Sequence, residues 1–225
     1  MAVPTANARS GSRRFVALSK PALFVAAAAP LLKLVLDAAR DHLSANPIAE
    51  VMNRLGFWTL MLLLASLLPT PLKAWFGWTW AMRSRRMLGL FSFFYACLHF
   101  VTYLALDQTF DFAEILLDVV KRKFITVGFA AFLLLVPLAV TSTDRWVKRL
   151  GFARWKALHR LAYVAAVLGV VHFVWRVKAD LLQPAIFATV LSVLLLTRLI
   201  AARRARSRAD GLRAAEPNVE QRRSA

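Results

Sequence analysis

Residues 155–177 read WKALHRLAYVAAVLGVVHFVWRV. As a helix the stretch is long enough to cross a bilayer core of about 30 Å, yet it holds two histidines, His159 and His172. An ionisable side chain at membrane depth is costly, so its presence there points first to function. A third histidine, His99, lies inside another apolar run of membrane length, about Met87–Leu106. Imidazole is an iron ligand, and facing helices of a bundle are the usual way to hold a cofactor between them.

Four more runs of that length flank these two: about Pro21–Ala39, Leu55–Leu72, Phe124–Ser142 and Gln183–Ala202. Together the six predict an all-α, six-helix transmembrane bundle. A hydrophobic content of 59% and a mean hydropathy of +0.55 exclude an ordinary soluble domain. The chain is expected to divide into a cytoplasmic basic leader (1–19), a six-helix transmembrane domain (20–204) and a flexible cytoplasmic tail (205–225). Ala22–Leu36 follows a basic leader as a secretion signal does, but it is read as an uncleaved first span.

The net charge of +18 is unevenly placed. The amino-terminal leader, the second and fourth connections and the tail carry twenty Lys and Arg; the other three connections carry seven. Those three also hold most of the acids, among them Asp37, Glu50, Asp111, Glu114 and Asp118. By the positive-inside rule both termini are cytoplasmic. Because the charge sits in short loops beside apolar spans, orientation explains it and no nucleic-acid partner is expected.

Within the loops, Pro69–Arg86 carries Trp75, Trp78 and Trp80 and reads as an interfacial segment. The segment Asp107–Lys123 mixes acids with Phe110, Phe112, Ile115, Leu116 and Val119, which predicts a short amphipathic helix on the outer surface. Glu50 and Arg54 are four apart with the acid first, an ion pair that extends the second helix. The lone Cys97 excludes an internal disulfide or iron–sulfur site and reads as packing. His42, beside Arg40 and Asp41, reads as solvated. No two glycines make a G-x-G, and CxxC, HExxH and GxSxG are absent. An electron-handling chain of this kind takes its electrons from a membrane carrier or a separate reductase.

Helix arithmetic then sorts the histidines. His99 and His172 each lie roughly 8–10 Å from the outer end of their spans, at 1.5 Å per residue. Matched depth on two helices fits bis-imidazole ligation of one heme b; the alternative is a histidine hydrogen-bonded to a neighbouring helix. His159 lies roughly 20 Å lower, and thirteen helical residues leave it about 140° round from His172. The position thirteen before His99 is Arg86, so the inner level is a half-site. It suits a heme with a non-histidine axial ligand, a quinone pocket, or a histidine with no ligand role. Arg85, Arg86 and Arg160 lie where propionates, a quinone head group or a flavin phosphate are paired by guanidinium; positive-inside charge alone also accounts for them.

The local sequences around these residues carry a resemblance. Lys20-Pro21 opens the first span and Thr70-Pro71-Leu72 closes the second. Arg85-Arg86-Met87-Leu88-Gly89-Leu90 leads to Tyr95 and His99, and Pro137-Leu138-Ala139 with Thr141-Ser142 ends the fourth. Trp155-Lys156-Ala157-Leu158-His159-Arg160-Leu161 precedes His172, and Trp175 with Val177-Lys178 follows it. From about Lys20 to Arg204 the chain resembles the MsrQ (YedZ) family of the ferric-reductase-like transmembrane superfamily, heme-binding subunits of a bacterial periplasmic methionine-sulfoxide reductase system. The resemblance implies an inner-membrane electron conduit. Electrons from the quinone pool, directly or through FMN, pass via heme b to the molybdopterin enzyme MsrP, which reduces methionine sulfoxide in envelope proteins. It implies one heme b, or two where the inner half-site is filled, with His99, His159 and His172 as the family's three histidines. Where the family reads Arg-Pro-Tyr before the fourth span, this chain has Arg122-Lys123-Phe124.

Two other functions compete. A heme subunit of another reductase or dehydrogenase keeps the cofactor and changes the partner. A proton-coupled transporter uses intramembrane histidines as a relay, but such proteins often show repeated halves with broken helices, and no internal repeat is evident.

Overall fold

The computed structural model describes residues 6–177 and 179–223. Its helices are α1 (Ala6–Ala39), α2 (Pro47–Leu67), α3 (Pro69–Phe76), α4 (Arg85–Thr102), α5 (Phe112–Lys121), α6 (Lys123–Val140), α7 (Asp144–Leu150), α8 (Phe152–Leu158), α9 (Leu161–Arg176) and α10 (Leu182–Arg223). Among the described residues there is no strand. Six stretches are long and apolar enough to cross a membrane: Lys20–Ala39, Pro47–Phe76, Ala81–Asp107, Lys123–Val140, Phe152–Arg176 and Leu182–Ser207. These are the six expected.

Local chemistry sets the boundaries. Pro47 occupies the first turn of α2, where its missing N–H is no loss, and Asn46 Oδ1 accepts from Ala49 N at 3.0 Å to cap it. Gly77 adopts the left-handed conformation that closes α3. Asp111 caps α5 by accepting from the amides of Ala113 and Glu114. Arg122 is extended and Lys123 begins α6.

Two expectations need correction. The span 155–177 is not one continuous helix: α8 ends at Leu158, His159 and Arg160 form a turn, and α9 begins at Leu161. The 140° rotation between His159 and His172 therefore does not apply. The segment expected to be a frayed tail continues α10 as helix to Arg223.

Two helix pairs, α2 with α4 and α6 with α9, build the bundle. Their shared core contains Leu60, Leu63, Leu64, Leu135, Leu138, Ala162, Ala165 and Ala166, with Phe187 and Leu191 of α10 packed on it. The alanines let the α9 backbone approach its neighbours closely, as small residues do in membrane bundles. Ser92 Oγ donates to the Thr59 carbonyl at 2.8 Å and ties α4 to α2. Large side chains such as Phe24, Leu133, Val164, Val193 and Leu196 point outward, which suits a lipid solvent.

α1 lies on the outside of this bundle. It is held through Ala27 and Leu34 against Leu55, Leu62 and Tyr95. The Tyr95 hydroxyl stands inside the α1 hydrogen-bond ladder: Leu31 N donates to it at 3.0 Å, and it donates to the Ala27 carbonyl at 2.9 Å. A second tie lies at one end of α1, where Arg54 pairs with both Asp37 and Glu50. The expected Glu50–Arg54 pair thus forms and also clasps α1.

The bundle has two unlike ends. One, here the acidic end, carries Asp37, Glu50 and α5. That helix exposes Phe112, Leu116, Leu117 and Val120, while its buried Asp118 pairs with Arg122 at 3.1 Å. It is the amphipathic helix expected between Asp107 and Lys123. The other, the basic end, carries Lys73, Arg85, Arg86, Lys148 and Lys156. There α3 and a short 3-10 turn (Trp80–Arg83) occupy the Pro69–Arg86 segment, and Arg204 lies 4.7 Å over the Trp75 ring. Cys97 is half-buried and His42 exposed.

Candidate functional site

His99 sits near the end of α4 and His172 near the end of α9, both toward the acidic end. Their ring centres are 6.3 Å apart and their planes 80° from parallel. A ring nitrogen lies about 2 Å from a bound first-row metal ion, with the ring centre about 1 Å behind it, so two imidazoles on opposite sides of one ion stand roughly 6 Å apart. The observed spacing is the one that geometry requires.

Backbone carbonyls settle which nitrogen is available. His99 Nδ1 lies 2.9 Å from the Met52 carbonyl and His172 Nδ1 2.7 Å from the Phe124 carbonyl. A carbonyl only accepts, so Nδ1 carries the proton on both rings and Nε2 keeps its lone pair.

Two glycines missed by the sequence reading make room for the rings. A Cβ at Gly56 would meet His99 Cε1 at 3.2 Å, and one at Gly128 would meet His172 Nδ1 at 2.6 Å. Gly56 is on α2 and Gly128 on α6, facing the histidines of α4 and α9. The cavity the rings share is also lined by Asn53, Phe57, Leu60, Phe100, Phe132, Phe173 and Arg176. It measures about 120 Å³, less than a porphyrin fills, so seating one means moving the phenylalanines that close it. Among the described residues, no group of three or more His, Cys, Asp or Glu gathers to hold a bare metal ion. A paired-imidazole site fits an iron whose remaining ligands come from a macrocycle.

Residues 55–170 match the family model described as the ferric reductase like transmembrane component. The chain is 53% identical over 197 residues, 87% of its length and 90% of the relative's, to the protein-methionine-sulfoxide reductase heme-binding subunit MsrQ of Herminiimonas arsenicoxydans. Identity to the protein of that name in Rhodospirillum rubrum is 55% over 191 residues, covering 84% and 92% of the two chains. For the one in Deinococcus radiodurans it is 47% over 179 residues, covering 80% and 88%. This chain belongs to the MsrQ family.

The third histidine of this MsrQ-family chain stands apart from the first two. His159 lines a second cavity, of about 480 Å³, at the basic end, together with Arg85, Arg86 and Arg160. The structure thus brings the expected inner residues into one place without giving His159 a histidine partner. Its Nε2 lies 3.1 Å from Thr141 Oγ1, which also lies 2.6 Å from the Pro137 carbonyl. The hydroxyl has one proton and the carbonyl takes it, so Nε2–H of His159 donates to Oγ1 and Nδ1 holds the lone pair. The Trp155 ring lies 4.2 Å from that of His159, tilted by 31°, and donates its Nε1 to the Thr141 carbonyl at 2.9 Å.

No carboxylate lines this second cavity, while Lys73, Lys156 and Arg198 add to its positive charge. Arg86 pairs with Asp144 at 2.9 Å, an exposed contact. The Arg198 guanidinium lies 4.3 Å over the Tyr163 ring. One of its nitrogens and the Tyr163 hydroxyl are buried without a hydrogen-bond partner. Arg198 escaped the sequence reading, although an arginine inside the last apolar run carries the same signal as an intramembrane histidine. Leu63 and Leu135 line both cavities, so one apolar layer separates the two.

Proposed function

We propose that the chain is a membrane cytochrome b of the bacterial inner membrane, conducting electrons from its basic, cytoplasmic end to its acidic, periplasmic end. The observation that carries this reading is the His99–His172 pair, with its 6.3 Å spacing and its two carbonyl-fixed tautomers. A heme b held there supplies a one-electron ferric–ferrous couple, tuned by its axial ligands and by burial.

The chain's own residues divide the work. Met52 and Phe124 orient the imidazoles, Gly56 and Gly128 give them space, and Phe57, Phe100, Phe132 and Phe173 exclude water. At the opposite end His159, Arg85, Arg86 and Arg160 face the electron donor, the quinone pool acting directly or through FMN. A second heme on His159 is a further use of that cavity. The partner is the periplasmic molybdopterin reductase MsrP, where methionine sulfoxide is reduced; the relatives' name as subunits of a protein-methionine-sulfoxide reductase supports it.

An absorption spectrum of the purified chain, with heme quantified per polypeptide in His99→Ala, His172→Ala and His159→Ala, tests the reading. A Soret band lost in the first two variants is the expected result. A wild-type protein without heme, or a spectrum indifferent to both substitutions, overturns it.

A further inference from the structure

We infer that Arg176 anchors the carboxylate edge of the porphyrin between His99 and His172 and, through its charge, holds the iron's midpoint potential up. The inference rests on the heme reading above and assigns a positioning residue to it. Arg176 is the last residue of α9 and lies four positions after His172, so both side chains leave the same face of the helix. It lines the cavity that the two histidines share, as does Asn53.

The rest of that lining is apolar or small apart from Thr59, and no carboxylate belongs to it. Arg176 is half-buried, and among the described residues no ion pair or hydrogen bond engages its guanidinium. A partly desolvated cation facing a cavity without a counter-charge is an unfavourable arrangement. Its best partner is a planar carboxylate, which the guanidinium fork meets with two parallel hydrogen bonds. A b-type porphyrin has that polarity: an apolar disc with two propionates on one edge. Phe57, Phe100, Phe132 and Phe173 suit the disc, and Arg176 with Asn53 suits the edge.

The charge has a second consequence. Reduction adds one negative charge at the iron, and unpaired propionates oppose it across a medium of low dielectric constant. A guanidinium paired with them removes that opposition and favours the ferrous state.

The test is a spectroelectrochemical titration of the full chain, purified with its heme, in a His159→Ala background so that one site reports. Arg176→Gln is expected to keep the Soret band while lowering the ferrous-to-ferric ratio about tenfold at a fixed poise, a shift of 59 mV for one electron. Arg176→Lys, which keeps the charge without the fork, is expected to recover most of that shift. Heme lost from Arg176→Gln and restored by Arg176→Lys also supports the anchor. Full heme with an unchanged potential in Arg176→Gln overturns the inference, as does equal heme loss in both variants, which marks a packing role. Absence of heme from the His159→Ala parent overturns the underlying heme reading, a distinct outcome.

Discussion

Gly128 of α6 lies directly against the His172 ring of α9, so close that a Cβ on it would fall 2.6 Å from Nδ1. Inside a helix, alanine is favoured over glycine by about 1 kcal/mol. Keeping glycine there trades helix stability for room to seat the imidazole. Gly128→Ala is expected to cut bound heme several-fold, because the overlap with the ring costs about 1–3 kcal/mol, more than the helix gains. Gly56→Ala, whose contact with His99 is looser at 3.2 Å, is expected to lose less. Equal heme occupancy in wild type and Gly128→Ala would show that the ring does not need this space.

Tyr95 gives a prediction of the opposite kind, on stability with the site intact. Its hydroxyl completes both Leu31 N–H and the Ala27 carbonyl, and the residue is 1% exposed. Removing the hydroxyl leaves two backbone groups of α1 to re-pair across the gap it filled. A buried group left unmatched costs about 1–3 kcal/mol. Tyr95→Phe is expected to lower thermal stability and to open α1 to protease, with the Soret band unchanged. A variant as stable as wild type would mean that the α1 ladder closes without the hydroxyl.

The difference between what was and was not legible in the residues follows from range. Six spans were readable because length and apolarity are local properties, and pairing His99 with His172 needed only helix rise. The turn at His159–Arg160 was not readable. Neither glycine nor proline marks it, and the ring there is held by Thr141 and Trp155, whose approach is tertiary. Gly56 and Gly128 were silent for a related reason: a glycine inside an apolar helix advertises nothing until the helix it faces is known. Tyr95 meets α1 across 64 residues of sequence. Arg198 is different, since the principle applied to the histidines applied equally to it.

Arg198 therefore offers the sharper test of the inner cavity. One of its nitrogens is buried without a partner, a desolvation cost that a ligand completing it would offset. Arg198→Leu is expected to leave the melting temperature equal or higher in the absence of donor. Donor-supported heme reduction is expected to fall about tenfold, the loss of one charge-assisted contact of roughly 1.5 kcal/mol, whereas dithionite still reduces the heme fully. Arg85→Gln is expected to raise the KM for the donor with a smaller change in kcat. Should Arg198→Leu instead lower the melting temperature and leave the donor rate alone, the residue is structural.

The orientation of the chain rests on charge, and labelling reads it directly. Glu114 on α5 and Lys148 on α7 are both exposed, at the acidic and basic ends respectively. In a Cys97→Ala background, which removes the chain's one native thiol, Glu114→Cys is expected to react with a membrane-impermeant maleimide on intact spheroplasts. Lys148→Cys is expected to react only after permeabilisation. The asymmetry follows from the excess of Lys and Arg in the loops of one face, which translocate poorly. If the two sites exchange behaviour, the paired imidazoles lie nearest the cytoplasm, and delivery of electrons to a periplasmic partner loses its geometric basis.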